Sequence, residues 1–189
     1  MNQEVEIQAI IKNPKEAEKK LKKVGKYLKA RKQVDKYFVP SNKDYFKIDP
    51  PVEYIRVRYE KDKSHINYSF VRFDRNLKLV AANEYETLVG EPKMAESMFQ
   101  KIGLIPKVTV VKIRKYFDCD DFEVVLDQVK GLGNFIEVEA KKDLGGVKKT
   151  RQACQKFLDD LNIKYEVLKL MGYPRLLHLK QKGINWKKQ

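Results

Sequence analysis

Five segments of this 189-residue chain place charged residues at every second position and apolar ones between them. Glu4 and Glu6 flank Val5, Glu84 and Glu86 flank Tyr85, and Glu137 and Glu139 flank Val138. Arg56 and Arg58 alternate with Ile55, Val57 and Tyr59, and Lys112 and Arg114 with Val111 and Ile113. Successive side chains of a β-strand point to opposite faces, so each segment has one charged face and one apolar face. One such segment reads as a solvated sheet surface. Five of them, three acidic and two basic, fit better with a closed barrel whose polar side is its lumen, because closure removes exposed edges and the apolar backs can be covered from outside.

The period-two pattern predicts strands over Val5–Ala9, Tyr54–Tyr59, Ile66–Phe73, Tyr85–Val89, Val108–Phe117, Phe122–Val129 and Phe135–Ala140. Asp118-Cys119-Asp120-Asp121 reads as a hairpin turn and Gly131-Leu132-Gly133 as a tight turn, so neighbouring strands are expected to be antiparallel. Three stretches change to helical spacing. Asn13-Pro14 followed by Glu16, Leu21, Val24 and Leu28 predicts a capped amphipathic helix with a lysine-dense polar face. Glu91-Pro92 with Met94, Met98, Phe99 and Ile102, closed by Gly103, predicts a second. A third runs from Val147 to Leu161, where Cys154, Phe157, Leu158 and Leu161 form the stripe and make Cys154 a core residue.

Composition narrows the setting. A hydrophobic content of 42% fills a core for one domain or a compact pair of half-domains, taken as residues 1–179 with a basic tail at 180–189 that carries Trp186. No apolar run reaches the ~18 residues of a membrane span, and the N-terminus turns polar at Glu4 without a signal-like apolar stretch. Two distant cysteines suit a reducing compartment, so the cytoplasm is the expectation. The net charge of +14 favours a polyanionic partner such as nucleic acid, polyphosphate or a phosphorylated metabolite. Only eight of the 40 basic residues are arginine, so most of the lysines read as solvated helix faces. No P-loop, GxGxxG, HExxH or GxSxG occurs, and His65 and His178 read as exposed or core-edge residues rather than a dyad.

Opposed acidic and basic rows are what triphosphate handling requires. Paired carboxylates hold Mg²⁺ or Mn²⁺ through hard oxygens, while arginine and lysine neutralise the phosphate charge that remains. Neither row suffices alone.

Along nearly its whole length the chain resembles the CYTH superfamily, the triphosphate tunnel metalloenzymes. Glu4-x-Glu6 stands where that family opens with ExExK, Gln33-x-Asp35-x-Tyr37-Phe38 is similar to its Q-x-D-x-Y-[YF] segment, and Arg56-x-Arg58 matches its R-x-R strand. Glu84-x-Glu86 and Lys112-x-Arg114 match the central ExE and later K-x-R, and residues 127–139, DQVKGLGNFIEVE, carry the most specific likeness. The resemblance implies an α+β fold: an antiparallel eight-stranded β-barrel, or tunnel, with external helices. It implies Glu4, Glu6, Glu137 and Glu139 as metal ligands, Arg56, Arg58, Lys112 and Arg114 as the triphosphate grip, and Glu84, Glu86 and Asp127 as further acidic groups of the tunnel.

Three positions depart from the family pattern. The opening signature ends in Gln8 instead of lysine, the T-x-K strand aligns with Ser69-x-Val71 unless a bulge brings in Arg72, and Ala82 stands where an arginine is expected. Lys36, Lys43, Lys47 and Lys141 are the cations that could compensate. Near the C-terminus Arg175 occupies an acidic position of the family's S-Y-x-[DE]-L-L segment. The implied activity is conversion of ATP or another triphosphate, by class IV adenylate cyclase chemistry or by triphosphate hydrolysis. The alternative is a non-turning-over binder of triphosphates or of RNA 5′ ends, and a homodimer is the expected assembly.

Overall fold

The computed structural model describes the backbone of residues 2–73, 79–168 and 172–188, and side chains within 5–72, 82–168 and 172–187. In chain order the elements are β1 (Asn2–Glu4), β2 (Glu6–Ile11), α1 (Pro14–Val24), β3 (Lys26–Pro40), β4 (Glu53–Tyr59), β5 (Ser64–Phe73) and β6 (Leu79–Val89). There follow α2 (Pro92–Lys101), β7 (Leu104–Cys119), β8 (Phe122–Val129), β9 (Gly133–Ala140), α3 (Val147–Asp160), β10 (Tyr165–Val167) and α4 (Tyr173–Gln181). The α+β class stands as expected, and the pairings whose register is defined are antiparallel. Among the described residues no helix is long and apolar enough to cross a membrane.

The chain divides into two compact units, residues 1–3, 32–111 and 170–189, and residues 4–31 and 112–169. In the first the strand order is β1-β6-β5-β4-β3, with β7 beyond β3. In the second it is β3-β7-β8-β9-β2-β10. Among the described residues ten strands appear rather than eight, because the opening strand is divided at Val5 and a three-residue β10 adds to β2.

In the second unit α1 and α3 cover the apolar face of the sheet. Ala17 and Leu21 from α1 and Cys154 and Leu158 from α3 are fully buried against Ile7, Ala9, Ile136 and Val138. Each buried leucine, isoleucine or valine among them contributes roughly 1.5–3 kcal/mol. The amphipathic pattern of α3 therefore holds. That of α1 stops early: the helix is capped by the Asn13 side-chain Oδ1, which accepts from the Glu16 amide at 3.1 Å, and ends at Val24, so Leu28 lies on β3 instead, 45% exposed. Gly25 makes this exit sharp, because a Cβ there would stand 2.3 Å from Cys119 Sγ and 2.6 Å from the Asp118 carbonyl oxygen.

The first unit departs further from its sequence pattern. α2 lies over β4 and β5 with Ala95 buried and Phe99 edge-on to Phe38, ring centroids 5.5 Å apart. The predicted stripe of Met94, Met98 and Ile102 faces away, 55%, 61% and 74% exposed. Glu96 sets the orientation, since it takes the Lys36 ammonium at 3.0 Å and the Tyr59 hydroxyl. β3 itself, 15 residues long, is missed by periodicity because its first half is basic and exposed on both faces. α4 carries the buried Arg175, whose guanidinium grips Asp49 at 2.5 and 3.0 Å, and Trp186 of the basic tail is buried rather than solvated.

Candidate functional site

The antiparallel register sorts the charged residues of the second unit onto one face. Glu6 lies opposite Glu139, which lies opposite Glu123; Gln8 lies opposite Glu137; Asp127 lies opposite Arg114. Their alternates Ile7, Val138, Val124 and Leu126 belong to the core under the helices, so the polar face is the other one. Asp127, 2% exposed, organises the cations there. Arg114 donates from Nε to its Oδ1 at 2.8 Å and from Nη2 to its Oδ2 at 2.5 Å, and Lys112 Nζ stands 3.6 Å from the same Oδ2. Arg114 also reaches Glu137, whose other oxygen accepts from Gln8 Nε2 at 2.5 Å.

These carboxylates have the hard oxygens that a divalent cation needs, and directly opposed carboxylates such as Glu6 and Glu139 repel unless a cation relieves them. Among the described residues no three such groups gather around a common point, and the side chain of Glu4 lies outside those residues.

In the first unit the same sorting produces two ranks on β3, β4, β5 and β6: Asp35, Arg58, His65 and Leu88, then Tyr37, Arg56, Asn67 and Glu86. Glu84 lies beside them opposite Ser69 and accepts from Asn67 Nδ2 at 2.7 Å. The two arginines are held differently. Arg58 makes a fork-to-fork pair with Asp35, Nε to Oδ1 at 2.6 Å and Nη2 to Oδ2 at 3.1 Å, with both residues buried. Among the described residues Arg56 has only long contacts: Tyr37 Oη at 3.4 Å, Glu86 at 3.7 Å, Glu84 at 3.9 Å and Asp35 at 4.0 Å. Its Nε is buried and has no hydrogen-bond acceptor among the described residues. Burial opposes its charge, but Tyr37, Asp35 and Glu84 outweigh burial and hold its pKa above the ordinary arginine value. Tyr37 stays a neutral phenol, since burial raises its pKa although Arg56 opposes the rise.

His65, set aside on sequence grounds, is 8% exposed and lies opposite Arg58, with Nδ1 3.1 Å from Glu86 Oε1. Neither cysteine competes as a nucleophile. Burial pushes the thiols of Cys119 and Cys154 up to about 11.

The family model of the CYTH domain matches residues 2–166. The chain belongs to the CYTH family. It is 29% identical over 175 residues to Putative adenylate cyclase MJ0240 of Methanocaldococcus jannaschii, a match covering 92% of this chain and 97% of that one. Among solved structures, the PH1819 protein of Pyrococcus horikoshii superposes with a TM-score of 0.80 at 22% identity, over 94% of this chain and 99% of that one. A Hippeastrum protein described as a putative adenylyl cyclase with a dominant triphosphatase activity superposes with a TM-score of 0.70 at 13% identity, over 98% and 97%. Both share the fold.

The register also locates this CYTH chain's departures from the family pattern. Val71 and Ala82 lie directly opposite each other on β5 and β6, an apolar corner where two cations were expected. The slip that would have brought Arg72 inward does not occur: pairing is regular through Arg72 opposite Ala81 and shifts only between Arg72 and Phe73, and Arg72 is exposed. Lys36 is engaged by Glu96, Lys43 by Glu53 and Lys141 by Asp118, and Lys47 is exposed on the 3₁₀ turn Tyr45–Lys47. Gln8 donates to Glu137 but brings no charge, and Arg114 supplies that charge instead.

Proposed function

We propose that the chain binds a nucleoside or organic triphosphate together with Mg²⁺ or Mn²⁺ and breaks its phosphoanhydride chain. The observation that carries this reading is Arg56, a partly buried guanidinium, 16% exposed, whose buried Nε is unmet among the described residues and whose terminal nitrogens stand 3.4–4.0 Å from their neighbours. A planar fork of this kind is satisfied by phosphate oxygens. Arg58, Lys112 and Arg114 would add the remaining positive charge, with Asp127, Glu84 and Glu86 aligning the cations. Glu4, Glu6, Glu137 and Glu139 would hold the divalent ion, whose chemistry when bound is to neutralise phosphate oxygens and polarise the P–O bond that breaks. Membership of the CYTH family and relatives named for adenylate cyclase and triphosphatase chemistry support the reading.

Cyclisation would release pyrophosphate as a ribose hydroxyl attacks the α-phosphate; hydrolysis would release orthophosphate as water attacks the terminal one. A second reading, a triphosphate or RNA 5′-end binder without turnover, is favoured by the neutral Gln8 and the apolar pair Val71 and Ala82. The deciding experiment is turnover of ATP, thiamine triphosphate and tripolyphosphate with Mg²⁺ or Mn²⁺, separating cyclic AMP, pyrophosphate and orthophosphate, with Glu137→Ala as control. Metal-dependent product that disappears in the variant supports an enzyme and names its reaction. Metal-dependent binding by calorimetry without product supports the binder.

A further inference from the structure

We infer that His65, oriented by Glu86, is the proton acceptor of the reaction, taking the attacking hydroxyl's proton on Nε2. The inference rests on the triphosphate reading above. His65 Nδ1 lies 3.1 Å from Glu86 Oε1, and a carboxylate at that distance favours the tautomer that carries its hydrogen on Nδ1 and leaves the Nε2 lone pair as the base. Burial to 8% exposure fixes the ring in that orientation. The groups facing it are Arg58 across β4, Arg56 one rank along, Asp35 behind Arg58, and Glu86 and Glu84 from β6.

None of those groups serves as the base. Asp35 spends both oxygens on Arg58, Glu84 accepts from Asn67, the arginines stay charged, and Tyr37 is held neutral with a raised pKa. An imidazole backed by a carboxylate is a base suited to neutral pH.

The step balances without a further reactant. The attacking oxygen, from water or a ribose hydroxyl, forms the new P–O bond as its proton passes to Nε2. The bridging P–O bond breaks, the leaving phosphate departs with the electron pair, and the imidazolium, stabilised by Glu86, returns its proton to solvent.

With only two histidines in the chain, ¹⁵N resonances of His65 and His178 can be assigned by single substitution. His65 is expected to show the Nδ1–H tautomer when neutral, with its Nε2 resonance shifting once Mg²⁺–tripolyphosphate is added, while that of His178 does not move. His65→Gln should bind Mg²⁺–tripolyphosphate within about threefold of the wild type while turnover falls about 10²–10⁴-fold and the acid limb of the kcat profile disappears. Glu86→Gln should keep the acid limb but move it. An Nε2–H tautomer, or wild-type turnover with an unchanged acid limb in His65→Gln, overturns the assignment while leaving the triphosphate reading intact. Wild-type binding without turnover overturns it in favour of the binder, and absence of metal–triphosphate binding by the wild type overturns both.

Discussion

Arg56 and Arg58 are two residues apart on one strand and look alike in sequence, yet their surroundings give them different tasks. Asp35, 1% exposed, has both oxygens satisfied by Arg58, so Arg58→Ala would strand a buried carboxylate and is expected to cost about 3–5 kcal/mol of stability. Arg56 makes no contact shorter than 3.4 Å to those partners, so Arg56→Ala should cost only about 1 kcal/mol but weaken Mg²⁺–tripolyphosphate binding by about 10–100-fold. Urea unfolding and calorimetry on the two variants separate the roles. Equal losses of stability would mean that Arg56 is a structural ion-pair member like its neighbour.

At the scale of elements, helix faces were decided by the strands beneath them. α3 buries the face its pattern announces, and α1 does so as far as Leu21, because the apolar alternates of β2, β8 and β9 offer a continuous surface. α2, ten residues long, instead turns toward Phe38 and the acceptor role of Glu96, leaving its methionines outward. The junction of α1 and β3 gives an element-scale prediction. Gly25 has an extended backbone that any residue adopts, φ −160°, so only contact excludes a side chain there. Gly25→Ala would press a methyl group into Cys119 Sγ and the Asp118 carbonyl, and should lower stability by about 1–3 kcal/mol by overpacking. Thermal unfolding measures it, and a shift within experimental scatter would show that β3 and β7 move apart freely.

At the scale of the whole molecule, stability should depend on pH in two stages. Burial lowers the pKa of His178 from 6.5, with Lys182 and Lys107 adding to the effect, so the unfolded chain binds this proton more readily. Its contribution is present above pH 6.5 and declines as pH falls below that value. Glu18 is lowered from 4.5 by hydrogen bonds from Lys115 and Lys22. Asp44 is lowered from 3.8 by Lys107 and the Phe46 amide, although burial acts the other way. Their contributions persist above those values and are lost on further acidification. Melting temperatures between pH 8 and pH 3 should therefore fall in two steps, and His178→Gln should remove the first and spare the second.

The amino-acid sequence by itself determined the α+β class, the antiparallel neighbours and which charged residues share a strand face. Those follow from local rules: alternation at period two and turn chemistry at Asp120 and Gly131. It also exposed the departures at Gln8, Val71 and Ala82. What only the tertiary structure decided is what each charge does. Cross-strand register paired Arg58 with Asp35, gave Lys112 and Arg114 to Asp127, set Val71 against Ala82 and brought His65 to Glu86. No local signal carries that register, because it is set between strands whose partners lie up to 23 residues away in these pairs, and 133 residues away for Glu6 and Glu139. Periodicity tells which face a side chain takes; only packing tells which neighbour it meets there.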